Sequence, residues 1–479
     1  DAVLALLGPR GFTRDEAVIA PWLLDWRGRY QGRALGLASP ADVGEVSGLM
    51  RLCHEYGVAV VPQGGNSGMS GGATPSADGG QLLLSLRRLN AMGAADLDSR
   101  QISCGAGVVL QNLHEAAAAA DLRFPLTLGG KGSATIGGLI STNAGGTQVL
   151  RHGTMGAQVV GLEAVLADGS VFSALTPLKK DNRGFDLKQL LIGSEGTLGI
   201  ITAATLKLVP AIADRAVVWA GVASLADARR LLLHCADAVG DVLEGFEVLP
   251  QDCLDAVLDY LPDSRAPLAQ RHDWYALIEV VAERGHKAGG DADDLLASVE
   301  AMLAEAFDAE LLADAVIAAN ETQAEAFWAL RDAIAPAERA IGPAMQHDIS
   351  VPVDKMPEFV AMAIPALERH WPGVKAVAFG HLGDGNVHFH VLAPKGAERG
   401  VWEADDGKAI SREVHDLVAR WQGSISAEHG IGQMKRDELA RLSDSVRLEM
   451  MRAVKAALDP KGLLNPGKLV PLAPNQMAD

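Results

Sequence analysis

Glycine crowds into three stretches of the first 210 residues, and each stretch abuts a run suited to be a strand. VVPQGGNSGMSGGA follows a helical run, VGEVSGLMRLCHEYGV, and a short strand over 58–61. PLTLGGKGSATIGGLISTNAGG follows an alanine-rich helix that ends near Asp121, and LIGSEGTLGIITAATLKLV leads from a glycine loop into a β-branched strand. Between the last two, VVGLEAVLADGSVF reads as two strands joined by Asp168-Gly169. Backbone without Cβ atoms can approach a ligand closely and turn its amides toward it, which is how a diphosphate is held with little positive charge. One such cluster is satisfied by a turn-rich loop; three in one domain point to a nucleotide cradle. Two familiar patterns fail. GxGxxG with a downstream acid is missing from the first strand-to-helix turn, which disfavours a nicotinamide-binding domain. Residues 462–468 spell GxxxxGK, but Leu469 stands where Ser or Thr would hold magnesium.

A chain of 479 residues is too long for one core, so two or three domains are expected. No run approaches the roughly 18 to 20 apolar residues of a membrane span, and the first residues lack a basic region followed by an apolar one. The expectation is a soluble, cytoplasmic chain. A net charge of -18 argues against a nucleic-acid groove and is neutral toward acidic small molecules. The four cysteines show no CxxC spacing, so neither a disulfide framework nor a thiolate metal site is suggested.

Three of only 13 histidines fall within GHLGDGNVHFH, residues 380–390. Strands are predicted over 374–380 and 387–392, with Asp384-Gly385 as a two-residue turn. In that register His381 lies directly opposite His388, and directly opposed Cβ atoms are roughly 4.5 to 5.5 Å apart, close enough for two imidazoles to share one metal ion. Alternation puts His381, Asn386, His388 and His390 on one sheet face. The alternative is a half-exposed hairpin whose histidines pair with carboxylates or backbone.

PQGGNSG, GSATIGGLISTNAGG, GFDLKQLLIGSEGTLGIIT, HLGDGNVHFH, SAEHGIG and LDPKGLLNPGKL, in that order, resemble the FAD-linked oxidase family of the vanillyl-alcohol-oxidase (PCMH-type) fold. More narrowly they are similar to its D-2-hydroxy-acid dehydrogenases, the D-2-hydroxyglutarate and D-lactate enzymes. The resemblance implies an α+β fold: an FAD-binding domain of two α+β subdomains over 1–210, an antiparallel-sheet substrate domain over 211–423, and a segment 424–479 returning to the FAD domain. It implies that Pro62, Gly64, Gly65, Asn66, Ser67 and Gly68 form the diphosphate loop, and that Gly132, Ser133, Gly137, Gly138, Asn143 and Gly145 follow the flavin and diphosphate. Glu195, Gly196 and Ile200 fall on the adenine and ribose side. Asn465 and Lys468 belong to the returning tail, with Lys468 either facing the cofactor or lying on the surface. Asn66 occupies the place where some relatives carry a flavin-linking histidine, so non-covalent FAD is expected.

The resemblance also places Glu428 beside His381 and His388. Two imidazoles and a carboxylate resemble a catalytic zinc site with a vacant position, and equally a non-haem iron triad, so zinc is expected ahead of manganese or iron. His390 reads as substrate-lining rather than a ligand. A metal holding the hydroxyl and a carboxylate oxygen of a 2-hydroxy acid would lower the hydroxyl pKa and orient the α-carbon toward the flavin. His429 is the candidate base, Asn386 a hydrogen-bonding partner of the substrate, and Arg331 the carboxylate clamp that the family carries. Ala335 and Gln346 stand where 2-hydroxyglutarate enzymes resemble a hydroxyl residue and a lysine; Lys435, Arg436 or His347 could compensate. The expected activity is oxidation of a D-2-hydroxy acid of the 2-hydroxyglutarate or malate type, with a protein flavin or quinone as electron acceptor and a homodimer left open. The alternatives are a D-lactate-type dehydrogenase, a zinc hydrolase with structural glycine loops, and a nucleotide-binding module without chemistry.

Overall fold

The first glycine cluster is delivered by a helix and strand that the local sequence defines at both ends. In the computed structural model, which describes residues 1–178, 180–285 and 295–471, the helix Val43–Tyr56 begins where the Asp42 side chain accepts from the Glu45 amide and stops at left-handed Gly57 (φ +67°). Its buried positions Val46, Leu49, Met50 and Cys53 recur at three- and four-residue spacing. They share a core with Val60, Leu82, Leu84, Ile200 and Leu464. The chain leaves this helix into the strand Ala59–Gln63, which pairs in parallel with Gln81–Ser85.

The described residues divide into two compact units. One comprises Asp1–Gly146, His152–Val209 and the chain from Glu428 onward; the other comprises Thr147–Arg151 and Pro210–Ala427. The first unit holds two four-stranded sheets. One runs Phe12–Thr13, Leu37–Ala38, Gln81–Ser85, Ala59–Gln63; the other, fully antiparallel, runs Gln101–Gly105, Ile200–Lys207, Val159–Val165, Val171–Ala174. The hairpin expected at Asp168-Gly169 joins the last two strands, with Gly169 at φ +82°.

The second unit is built on a seven-stranded antiparallel sheet ordered Asp314–Ile317, Ile212–Val222, Trp274–Glu283, Leu243–Pro250, Lys375–His381, Asn386–Leu392, Ala344–Ser350. One face packs Val217, Trp219, Leu277, Val377 and Phe379 against the helices Gln251–Tyr260, Glu321–Asp332 and Ile334–Ile341. On the other face Phe389 meets Phe359 of the helix Met356–His370, ring centroids 6.0 Å apart. The fold is thus α+β, as the motifs implied, and no helix among the described residues is long and apolar enough to cross a membrane.

The short excursion Thr147–Arg151 is fastened by charge. Arg151 donates to Glu244 Oε2 (2.9 Å) and to the Val281 carbonyl (3.1 Å), and its other nitrogen lies 3.5 Å from Glu283, with all three side chains nearly buried. Removing one partner leaves an uncompensated buried charge. Arg151→Ala is therefore expected to lower stability by about 3–5 kcal/mol, read as a shift of the denaturant midpoint, with Glu244→Gln in the same chain restoring part of the loss.

Candidate active site: a glycine cradle and a histidine-bearing sheet face

In the first unit two glycine loops meet backbone to backbone. A Cβ on Gly65 would lie 1.8 Å from the Ser133 carbonyl oxygen, one on Gly64 2.2 Å from Thr135 Oγ1, and one on Gly137 2.6 Å from the Ala106 Cβ. These three glycines are required by the protein itself. A Cβ on Gly68 or Gly132 meets nothing within 4 Å, so those two border open space. Arg87, stacked 4.6 Å over the Trp22 ring, donates to the carbonyls of Gly64 and Gly65. With the loop's carbonyls held on that side, the amides of Gly65, Asn66, Ser67 and Gly68 have no backbone acceptor among the described residues. Thr135 Oγ1 and Asn465 Oδ1 are likewise buried without a partner. Free amides and orphaned polar atoms around a Cβ-free loop fit a diphosphate.

Several residues expected to follow the cofactor also hold the cradle together. Asn143, left-handed at φ +49°, accepts from Thr154 Oγ1 and the Gly156 amide. The Glu195 carboxylate accepts from the amides of Ile431 and Gly432, 2.7 Å each. Burial pushes its pKa up, while those amides and Lys435 pull it back. Asn465 donates to the Gly72 and Glu195 carbonyls. Gly196 (φ +72°) packs under Pro62, Ile200 is buried in the core, and Asn66 donates to the Leu24 carbonyl. Ser133 supplies the carbonyl that excludes a side chain at Gly65, while Ser67 sits half-buried in the first loop and Gly138 half-buried in the helix Ile136–Thr142. Gly145 is the seat of Glu428, whose Oε1 would be 2.8 Å from a Cβ there. His429 follows Glu428 in a turn anchored by Ser70 Oγ, which donates to the His429 carbonyl at 3.1 Å.

In the second unit the strands Lys375–His381 and Asn386–Leu392 pair as a hairpin, but the register differs from the predicted one. His381 opposes Asn386 and Phe379 opposes His388, around a four-residue loop rather than a two-residue one. The slip is two residues, so side-chain parity survives. His381, Asn386, His388 and His390 still share a face, now as diagonal neighbours, and the His381 and His388 ring centroids lie 5.5 Å apart.

That face is rich in buried charge. His381 Nε2 is 3.3 Å from Glu247 Oε1 and its Nδ1 is 3.4 Å from Asp384 Oδ2. Arg331 Nε donates to the other Glu247 oxygen (2.9 Å), and its guanidinium lies 5.8 Å from the Phe379 ring. His390 is hydrogen-bonded through Nδ1 to buried Glu338. Asp348, opposite His388, accepts from Asn386 Nδ2, which also donates to the Ile349 carbonyl. Both Asn386 amide donors are thus committed within the protein, and its carbonyl oxygen is buried and unpartnered, which leaves it able to accept from a hydroxyl. His347 points to the opposite face, between the Phe389 carbonyl and Ser411 Oγ, and Arg436 donates to Asp437 and the Gly467 carbonyl, so neither replaces a missing substrate cation.

Glu247, Asp348 and Glu338 had been given no role from the sequence. Signals could have found two of them: Glu247, one of two carboxylates in the otherwise apolar strand LEGFEVLP, and Glu338, at the buried spacing Ile334, Ala337, Glu338 of a short helix; Asp348 left none.

Desolvation holds the His388 imidazole well below the ordinary histidine value, with Arg331 and the neighbouring His381 pushing the same way and Asp348 opposing. A neutral imidazole at pH 7 is the form a metal requires. Below about pH 6.5 the unfolded chain takes up a proton here that the folded chain refuses, so folding stability falls with acidification. Metal-free protein is expected to lose melting temperature between pH 7 and 5.5, and His388→Gln to flatten that slope.

Comparisons with known proteins agree with this architecture. Residues 34–174 match the model for the FAD binding domain, and residues 212–469 match that for the C-terminal domain of FAD linked oxidases. The D-2-hydroxyglutarate dehydrogenase of Bos taurus is 37% identical over 471 residues, covering 98% of this chain and 83% of that protein. The Danio rerio protein of that name is 37% identical over 473 residues, covering 98% and 84%. Among solved structures, substrate-bound p-cresol methylhydroxylase superposes with a TM-score of 0.76 at 15% identity, over 98% of this chain and 95% of that one. Both dehydrogenases are named mitochondrial, which overturns the cytoplasmic expectation. Composition and apolar runs carry no signal that distinguishes one compartment from another.

Proposed function

Because this chain belongs to the FAD-linked oxidases and is an FAD-dependent oxidoreductase, we propose that it oxidises a D-2-hydroxy acid to the 2-oxo acid at a divalent metal, with D-2-hydroxyglutarate, named for its relatives, as the first candidate substrate. The observation that carries this reading is the pair of buried His381 and half-buried His388 on one sheet face, rings 5.5 Å apart; desolvation, which lowers the His388 pKa, supports it. Glu428 is proposed as the third ligand, and zinc as the metal ahead of manganese or iron. Carboxylates lie beside both nitrogens of His381, Glu247 at Nε2 and Asp384 at Nδ1; a ligating imidazole keeps one of them as the partner that orients it and turns the other nitrogen to the metal.

FAD, when bound, supplies the acceptor for two electrons. The chain's own residues do the rest. His381, His388 and Glu428 would hold the metal, which would supply a Lewis acid to bind the hydroxyl and one carboxylate oxygen and to lower the hydroxyl pKa. His429 takes the hydroxyl proton, and the α-hydrogen leaves with its electron pair. Arg331, kept in place by Glu247, faces the substrate carboxylate. The Asn386 carbonyl oxygen accepts from a hydroxyl. A protein flavin or a quinone then removes the electrons. A D-lactate-type substrate is the second reading, favoured by Ala335 and by the neutral Gln346, whose Nε2 is buried and unpartnered opposite His390.

Anaerobic addition of D-2-hydroxyglutarate, D-malate, D-lactate and their L forms to the purified flavoprotein tests the reading. Bleaching of the flavin by one D acid and not by its enantiomer is expected. Bleaching by none of the acids would remove it.

A further inference from the structure

Two neighbouring elements of the first unit leave large apolar side chains in solvent. The segment between the strand Val171–Ala174 and the short helix Lys188–Leu191 exposes Leu178, Phe185 and Leu187, with Phe185 94% exposed, and the helix itself exposes Leu190. The helix Ser445–Leu458 buries only Leu448 and exposes Val446 and Met450, one turn apart. The two elements meet: Leu190, Ile192, Leu198, Met450, Met451 and Val454 line one cavity of about 280 Å³, with the exposed Leu190 and Met450 at its rim. Single apolar residues on a surface need no explanation, but a group of them around a hollow marks a place where another molecule is covered.

Charge decides between the molecules that could cover it. Residues 180–190 and 445–458 carry six basic side chains and three acidic ones, on a chain with 42 basic and 60 acidic residues. Lys180 and Arg447 are exposed and make no ion pair among the described residues. A second copy meeting this patch across a two-fold axis would bring like charges together. An anionic bilayer calls for an unbroken basic cluster and for protruding side chains, not for acids interleaved around a hollow. An acidic protein with one apolar side chain to fill the cavity matches both the charge and the shape. Gly193 and Ser194 also line the cavity and run directly into Glu195 and Gly196, and the Gly193 amide donates to the Ile140 carbonyl on the helix that carries Gly137 and Gly138. A protein seated here therefore touches the loop that shapes the cofactor cradle.

We propose that this surface docks the electron acceptor, an acidic redox protein that places an apolar side chain in the cavity. The two electrons held by reduced flavin pass to the partner's own redox group, and the proton on the reduced flavin is released to water. The proposal rests on reduction of the flavin by a D-2-hydroxy acid; an unchanged chain that no acid bleaches would remove that premise before any acceptor is added.

The test uses the FAD-loaded full chain, with Lys180→Glu and Arg447→Glu combined in one variant and Met450→Glu as a second. None of these residues belongs to the cradle or to the histidine-bearing face, so anaerobic bleaching keeps its rate. Acidic cytochrome b5 and basic cytochrome c are the protein acceptors, and dichlorophenolindophenol is the small one. At low ionic strength the unchanged chain reduces cytochrome b5 faster than cytochrome c, both variants lose about tenfold of the cytochrome b5 rate, and added salt erases the difference. The dye is reduced at the same rate by all three chains. Equal cytochrome b5 rates in the unchanged chain and the charge-reversed variant would overturn the proposal. So would a dimer that Met450→Glu dissociates in sedimentation, or phosphatidylglycerol vesicles that bind the unchanged chain and release the variants, with the cytochrome b5 rate unaltered in either case.

Discussion

Replacing His388 with alanine is expected to leave a yellow, FAD-loaded protein whose flavin a D-2-hydroxy acid reduces roughly 10²–10³-fold more slowly, the order that losing one preorganised stabiliser of developing charge costs. His388 belongs to the second unit and the cradle loops to the first, and FAD content per chain is measured alongside the rate. The substitution removes a half-buried ring packed 5.1 Å from Phe379 and 5.5 Å from His381, so some stability goes with it. The control is His388→Gln, which keeps volume and polarity but is a far weaker metal ligand. If metal binding is what matters, glutamine is nearly as inactive as alanine while its melting temperature stays close to that of the unchanged chain. The check is metal content per chain, together with the rate of anaerobic bleaching.

Gly65→Ala is expected to give a colourless protein. The added Cβ meets the Ser133 carbonyl oxygen at 1.8 Å and its carbon at 2.7 Å, and neither is a side chain that can swing away. One of the two cradle loops has to move by more than an ångström, and FAD affinity falls on the order of 10²-fold for misplacement of that size. The FAD-free chain should also melt lower, since the clash is internal. Gly68→Ala and Gly132→Ala separate protein from ligand. No chain atom lies within 4 Å of either Cβ, so the melting temperature of the FAD-free chain stays put, and any loss of FAD binding reports the cofactor itself. Equilibrium FAD titration and thermal unfolding of the three variants distinguish these cases.

The hairpin shows how far the sequence could be read. Strand alternation placed His381, Asn386, His388 and His390 on one face, and a two-residue error of register could not change that. The turn itself was misread because Asp384-Gly385 is a local signal for a two-residue loop, while a tertiary contact decides the outcome. Gly385 is pressed against the Val351 carbonyl, where a Cβ would sit 2.2 Å away, and its amide closes on the His381 carbonyl at 3.1 Å, leaving four residues in the loop.

The same limit applies to the cradle. Glycine density marked where backbone approaches closely, but pattern alone could not separate glycines facing open space, such as Gly68 and Gly132, from those facing another loop, such as Gly64 and Gly65. Asn143 and Glu195 stood in motifs that carry the cofactor resemblance and turned out to be bonded to their own backbone. Arg331 could be named from a helix, but its restraint could not: Glu247 comes from a strand 84 residues away in sequence. Buried carboxylates that serve a neighbour's orientation leave little local trace, because their partners are set by topology rather than spacing.

The most direct test of the central claim is anaerobic bleaching of the flavin by the active D-2-hydroxy acid before and after metal removal. The purified protein is dialysed against a chelator, assayed, and assayed again after zinc, manganese or ferrous iron is returned. The account predicts that the stripped protein stays yellow in the presence of the acid, and that one of the metals restores bleaching at about one ion per chain. Bleaching at an undiminished rate with no metal bound would contradict it, and His381 and His388 would then have to be read as part of the buried hydrogen-bond network alone.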